Sequence, residues 1–129
     1  MSIEIIITDG PLQPTPATWG AEGAGAVVTF DGVVRRAELG RQIDALDYDV
    51  YEPMASQQLR RLAQSIADVH GLIAVRVEHS RGRVAVEECS FRLQIASAHR
   101  KEAIQAMDVF IDQMKQDVPI WKKPVFAAE

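Results

Sequence analysis

SAHRKEAIQAMDVFIDQMKQDVPIWKK, running from Ser97 to Lys123, is the stretch whose reading decides the fold. Between Ser97-Ala98-His99-Arg100 at one end and Pro119-Ile120-Trp121-Lys122-Lys123 at the other, apolar residues recur at Ala103, Ile104, Met107, Phe110, Ile111, Met114 and Val118. Steps of three and four residues put these side chains on one side of an α-helix, so the pattern predicts an amphipathic helix from about Ala98 to Asp117, stopped by Pro119. At roughly 100° per residue, Arg100 and Lys115 project toward one edge of the apolar stripe, within about 60° of each other. Basic groups at such an edge either snorkel to water or wall an anion site. His99, Arg100, Lys115, Lys122 and Lys123 all fall in this one segment, with Trp121 beside the last pair. That concentration speaks for the anion site.

Upstream of the helix, Ser90 to Ser97 alternates Phe91, Leu93 and Ile95 with Arg92 and Gln94, the signature of a strand. Leu72 to His79 reads as another strand; Arg81-Gly82-Arg83 then turns the chain, and Val84 to Val86 is a short extended piece. Pro53 opens a helix as a first-turn proline and Gly71 closes it, with Leu59, Leu62, Ala63, Ile66 and Val69 at helical spacing. Ile3 to Thr8, Gly25 to Val34 (with Gly32 as a bulge) and Ala45 to Val50 are three further strands. Asp9-Gly10-Pro11 ends the first of them, and Pro14 and Pro16 keep the chain irregular up to one helical turn around Thr18 to Ala21. Arg35 to Arg41 reads as a polar, mobile loop, and the last ten residues as extended. The order β-β-β-α-β-β-α-β predicts an α+β fold in one domain, 1–129, with two principal helices on a mainly antiparallel sheet.

The 129 residues, 47% hydrophobic and 25% charged, match an ordinary globular protein large enough to bury a core. A net charge of −4 gives no reason to expect nucleic acid or an anionic membrane as partner, so basic residues that bind an anion do so against the global sign. One cysteine, Cys89, excludes an intramolecular disulfide framework and suits a reducing compartment. The N-terminus lacks the basic flank and small-residue cleavage site of a signal peptide, and no apolar run reaches the length of a membrane span, so a cytoplasmic setting is expected.

Most constellations dissolve on inspection. Gly20, Gly23 and Gly25 are followed by a strand, whereas a dinucleotide fingerprint needs a strand before it and a helix after it. His70, His79 and His99 have no ligand spacing and there is no cysteine pair, so no metal site is expected. Cys89 beside Glu87 and Glu88 reads as inert, because carboxylates raise a thiol's pKa. Ser97 and His99 suit a strand-end turn better than a nucleophile and its base, and Glu87 and Glu88 point to opposite sides of an extended chain.

The basic set remains: Arg35 leaving a strand, Arg100 opening the helix, Lys115 closing it and Lys122 after the proline stop. Arginine's planar fork suits phosphate, lysine beside apolar walls gives up its proton more readily, and a helix N-terminus near His99 adds free backbone N–H groups. Fifteen residues separate Arg100 from Lys115, about 22 Å of helical rise, too far for one small ligand to touch both in one subunit. The expectation is a shared site, with Lys115 and Lys122 from one copy and His99 and Arg100 from a two-fold related copy.

With these residues in view, the chain resembles the large, catalytic subunit of molybdopterin synthase. The resemblance rests on Ser97-Ala98-His99-Arg100, the Lys115 helix end and Pro119 to Lys123. Three further pieces agree in order: Gly25 to Arg35 (GAVVTFDGVVR), Leu46 to Ala55 (LDYDVYEPMA) and His79-Ser80-Arg81-Gly82. The resemblance implies an α/β-hammerhead fold and a central homodimer flanked by two small ubiquitin-like sulfur-carrier subunits. The carrier's C-terminal Gly-Gly thiocarboxylate enters a pocket of the large subunit. There it donates sulfur twice to cyclic pyranopterin monophosphate, giving the dithiolene of molybdopterin. By the same resemblance Lys115 is the principal catalytic lysine and Lys122 a second one. Arg35, His99 and Arg100 bind the anionic substrate, the last two from the partner copy, and Lys123 is counted with this binding set. No cofactor, metal or protein cysteine is called for by an acyl–sulfur exchange beside lysines.

Three departures from the family pattern carry expectations of their own. Glu87 stands where a glycine is usual, and Pro124 where an acidic residue is common. With the sequence stopping at Glu129, the longer tail that helps cover the pocket in relatives is expected to be missing, which bears on how the pocket closes and how tightly a carrier tail is held. The alternative functions are a non-catalytic dimeric module that binds a carrier tail or a phosphorylated pterin, and a generic phosphate-ligand sensor. Both lysines together favour the enzyme, because Arg35 and Arg100 alone would serve simple phosphate binding.

Overall fold

A strand that belongs to two sheet regions organises the molecule. The computed structural model describes residues 2–14, 19 and 22–128. Its elements are β1 (Ser2–Asp9), β2 (Ala26–Val33), β3 (Ala37–Glu38), β4 (Arg41–Val50), α1 (Met54–His70), β5 (Ala74–Ala85), β6 (Cys89–Ser97), α2 (Arg100–Asp117) and β7 (Ile120–Phe126). The first half of β5 pairs in parallel with β1 and, on its other side, antiparallel with β6, which in turn pairs with β2. Past Arg81 the same strand leaves those partners and pairs antiparallel with β4, Tyr48 opposite Gly82. β7 lies on β4 with Lys122 opposite Tyr48 and Lys123 opposite Asp47. The α+β class with two helices on a mainly antiparallel sheet is as the sequence predicts.

Three sequence readings need correction. Arg81-Gly82-Arg83 does not end a strand: with Gly82 in the left-handed region (φ +85°), β5 bends and runs on to Ala85. Arg35 to Arg41 is not an unstructured loop, because Ala37 and Glu38 pair with Gln42 and Arg41 around Leu39 and Gly40. Both tip residues have positive φ, the geometry of a two-residue hairpin whose twist matches its strands. The helical stripes are also narrower than read, since Val69 and Ile104 are exposed. The turn expected at Thr18 to Ala21 lies outside the described residues apart from Trp19. The bulge at Gly32 is present as a register shift between Gly32 and Val33.

Leu59, Ala63 and Ile66 of α1 and Ala103, Ala106, Met107 and Phe110 of α2 bury against Val75, Val77, Leu93 and Ile95 of the sheet. Alanines on both helices keep them close, and each large buried side chain contributes about 1.5–3 kcal/mol. Proline at the N-cap and a left-handed Gly71 at the C-cap, whose N–H reaches the Ala67 carbonyl, bound α1. In α2 the N–H of His99 donates to Glu102 Oε2 at 3.0 Å. The other face of the sheet is polar and still buried. Arg92, 4% exposed, donates to Asp31 at 2.7 Å, to the Gln13 carbonyl at 2.7 Å and to Glu78 at 3.3 Å. A charge so far from water persists only because it is paired.

Glu87, the departure from glycine, sits in the left-handed region at φ +74°, and its side chain pairs with Arg36 on the surface. The backbone there is the one a glycine would favour. Urea unfolding of Glu87→Gly is expected to show a gain of up to about 1 kcal/mol, and Glu87→Val a loss of about 1–2 kcal/mol. Equal effects would refute a strained turn. Gly25→Ala is expected to cost about 1–3 kcal/mol, because the added Cβ would collide with the Ala98 carbonyl.

Candidate active site

Where the β4–β7 ladder meets the end of α2 and the β2 bulge, a cleft of about 660 Å³ opens. Ile111, Met114 and Lys115 project into it from successive turns at the end of α2. Val118 caps that helix, its N–H on the Met114 carbonyl, and after Pro119 the chain returns as β7, bringing Ile120, Trp121 and Lys122 to the same cleft. Opposite them, the bulge after Gly32 delivers Val33, Val34 and Arg35. Val34 anchors this corner: its N–H donates to the Glu88 carbonyl at 3.0 Å, and its carbonyl accepts from Glu87 N–H at 2.9 Å.

Arg35, Lys115 and Lys122 therefore converge from three separate segments. The same protomer does not bring His99 or Arg100 to them: α2 is continuous from Arg100 to Asp117, and both residues are exposed at its far end. Lys123 does not line the cleft either. It registers with Asp47, which Arg83 holds through two hydrogen bonds of 2.9 and 3.0 Å, while its neighbour Lys122 faces the cleft beside Tyr48.

The floor of the cleft holds groups that sequence reasoning missed. Tyr48 and Ser90 hydroxyls lie 2.9 Å apart, and the Tyr48 ring meets His79 edge-on at 5.1 Å between centroids. His79 Nδ1 is 2.8 Å from the Ser80 carbonyl, which only accepts, so Nδ1 carries the hydrogen. Burial pushes the His79 imidazole below its ordinary pKa, against a smaller upward pull from that hydrogen bond. Burial likewise raises the Tyr48 phenol; the Ser90 bond opposes, and Glu38 adds to the rise. At neutral pH the floor is thus an uncharged imidazole and an intact phenol. His79, which the sequence excludes as a metal ligand and places in one of the family pieces, carries no local sign of a cleft position; its place depends on β5 lying beside β4. Glu38, in the stretch read as a loop, also faces the cleft, 3.4 Å from Lys122 Nζ and 3.6 Å from Arg35 Nη2.

Cys89 stays outside the cleft, and burial and the nearby Asp31 raise its thiol pKa. That agrees with the inert reading, with Asp31 rather than Glu87 and Glu88 as the acidic neighbour. Among the described residues no three His, Cys, Asp or Glu side chains are grouped to hold a metal ion, and no helix is long and apolar enough to cross a membrane.

Comparison with known proteins adds a family. The family model described as MoaE protein matches residues 7–117, a span that includes Arg35, His99, Arg100 and Lys115 and stops before Lys122. The molybdopterin synthase catalytic subunit of Thermoplasma volcanium is 37% identical over 102 residues, covering 79% of this chain and 74% of that protein. The Bacillus subtilis catalytic subunit is 36% identical over 103 residues, 80% of this chain and 66% of its own length. For the human catalytic subunit the figures are 34% over 102 residues, 79% and 54%. The crystal structure of molybdopterin synthase from Staphylococcus aureus superposes with a TM-score of 0.82 at 32% identity, over 98% of this chain and 92% of that one. A Helicobacter pylori complex of subunits 1 and 2 of molybdopterin-converting factor shares the fold, with a TM-score of 0.73 at 24% identity over 97% and 90%.

The buried His79 makes a pH prediction. Its folded pKa lies below the unfolded value of about 6.5, so its stabilising contribution is present above that pH and is lost as pH falls through it toward the folded value. The loss is at most about 1.4 kcal/mol per pH unit. Measured by urea unfolding, the stability gap between wild type and His79→Asn is expected to shrink as pH falls from 7 to 5.5, by no more than about 1.2 kcal/mol. A gap independent of pH would show that the ring titrates alike in both states.

Proposed function

The chain belongs to the MoaE protein family, that of the molybdopterin synthase catalytic subunits, and from that premise we propose that its cleft is where sulfur is transferred in making molybdopterin. The observation that carries the reading is the convergence of Arg35, Lys115 and Lys122 on one cleft in a protein whose net charge is −4. Three cations from distant segments, walled by Ile111, Met114 and Trp121, suit a ligand with an anionic group and a flat ring body whose faces can stack.

In this reading Arg35 holds the phosphate of cyclic pyranopterin monophosphate through its planar fork. Lys115 and Lys122 flank the reacting carbon and acyl–sulfur groups. They stabilise the oxyanion that develops on the thiocarboxylate carbonyl and shuttle protons as a carbon–sulfur bond replaces a carbon–oxygen bond, whose oxygen leaves protonated or stays on the phosphate, and as water hydrolyses the acyl–sulfur bond. The carrier tail leaves as a carboxylate, and a second tail repeats the step. The Helicobacter pylori protein that shares the fold stands in a complex of two subunits, which is in keeping with a partner subunit here. Trp121, exposed at the cleft wall, offers an apolar face to an extended tail.

The unbroken α2 supports a site shared between two copies. Arg100 and Lys115 stand about 22 Å apart along a straight helix, so His99 and Arg100 serve a cleft only if it belongs to a two-fold partner.

The test is a single-turnover assay with thiocarboxylated carrier and cyclic pyranopterin monophosphate, product being read as its fluorescent oxidised pterin. Lys115→Ala is expected to leave less than about a tenth of the wild-type rate with the dimer intact, since proton transfer by a placed side chain is worth about 10²–10⁴. Arg100→Ala is expected to weaken substrate binding by about 1.5–3 kcal/mol. Refolded together in equal amounts, the two variants should regain about a quarter of wild-type activity, because half the dimers are hybrids and each hybrid has one intact site. No regain would overturn the sharing of the site between two copies.

A further inference from the structure

The cleft already contains an anion of its own. Glu38 lies on β3, held by the paired hairpin and its two positive-φ residues, Leu39 and Gly40. One carboxylate oxygen, Oε1, serves both cations, at 3.4 Å from Lys122 Nζ and 3.6 Å from Arg35 Nη2. The burial is asymmetric: the Glu38 side chain is 15% exposed, against 77% for Arg35 and 52% for Lys122. An ordinary surface ion pair hides neither partner. Here the carboxylate is tucked into the protein while both cations keep an open side toward the cleft.

We propose that Glu38 is an internal counter-anion, which the anionic group of an incoming ligand must displace from Arg35 and Lys122. The inference rests on the cleft being the anion site described above. Both cations lie within 3.6 Å of one oxygen, and without that counter-charge they would repel each other and spread. Glu38 holds them together at the cost of competing with the ligand. Asp31 also lines the cleft but is bound to Arg92 at 2.7 Å, so Glu38 is the carboxylate placed to compete. Two incoming groups share the needed chemistry, the phosphate of the small substrate and the C-terminal carboxylate of a carrier tail.

The experiment follows amide chemical shifts of the full-length protein during titration at constant ionic strength. One arm uses inorganic phosphate and the other a short peptide ending in a free Gly-Gly carboxylate, each with wild type, Glu38→Gln and Arg35→Ala. Glu38→Gln keeps the shape of the side chain and removes its charge, and Glu38→Ala serves as a second variant should the first lose its melting transition. Loss of the counter-charge is expected to tighten the displacing ligand about three- to tenfold. Tightening in the phosphate arm alone assigns the displaced position to the substrate's phosphate; tightening in the peptide arm alone assigns it to the tail. Unchanged or weaker binding in both arms, with Arg35→Ala still weakening one of them, overturns the role of Glu38 and leaves the cleft as the anion site. If Arg35→Ala changes neither titration, the cleft reading itself falls, and this inference with it.

Discussion

The backbone hydrogen bonds of β5 are the constraint from which the rest follows. Each of its residues must place an N–H and a carbonyl, and it meets that demand with β1 and β6 along its first part and with β4 after Gly82. A bend at one positive-φ glycine thus joins a helix-covered sheet to the β4–β7 ladder. The cleft lies where the two regions meet. His79 comes from the strand just before the bend, Tyr48 pairs with the bend itself, and Lys122 pairs with Tyr48. A strand that ended at His79, as local sequence suggests, would leave β4 without that neighbour and the cleft without a floor.

Charge is divided between the two faces of the sheet. On the buried polar face Arg76, Glu78, Arg92, Asp31 and Gln94 satisfy one another. Burying Arg92 and Glu78 is tolerable because they are paired: Arg92 donates to Asp31 and Glu78, and Glu78 Oε1 accepts from Arg76 as well. The same network occupies Asp31, although Asp31 also borders the cleft. Cations therefore outnumber available carboxylates in the cleft, and a protein with an overall negative charge keeps a local site for an anion. Floor and wall differ in kind: the floor of Tyr48, Ser90 and His79 is neutral and hydrogen-bonded, whereas the wall is charged and open.

Much of this was legible because helices and strands carry their own periods. The stripe from Ala103 to Met114 predicts α2 and its stop at Pro119, and alternation predicts β6. The four ordered pieces, from Gly25 to Lys123, carry the family. Other features were hidden. Arg92 and Gln94 alternate with the apolar side chains of β6, yet they too are buried, because alternation tells which residues share a face and not what covers it. Val69 and Ile104 fit their helical stripes but lie beyond the width that the sheet covers. Glu38 was unreadable, since a two-residue strand has no period.

The sequence by itself determined both helices and most of the strands, the family and the five basic residues His99, Arg100, Lys115, Lys122 and Arg35 as a set worth bringing together. It also determined that one helix could not bring all of them to one ligand, since helical rise per residue is a local quantity. Only the tertiary structure decided which of them meet. Lys122 reaches Glu38 across 84 positions of chain, and Arg35 joins them through a bulge paired to β6. Such contacts are set by strand register and by the bend in β5. Register is a relation between segments far apart in the chain, and no local pattern encodes it.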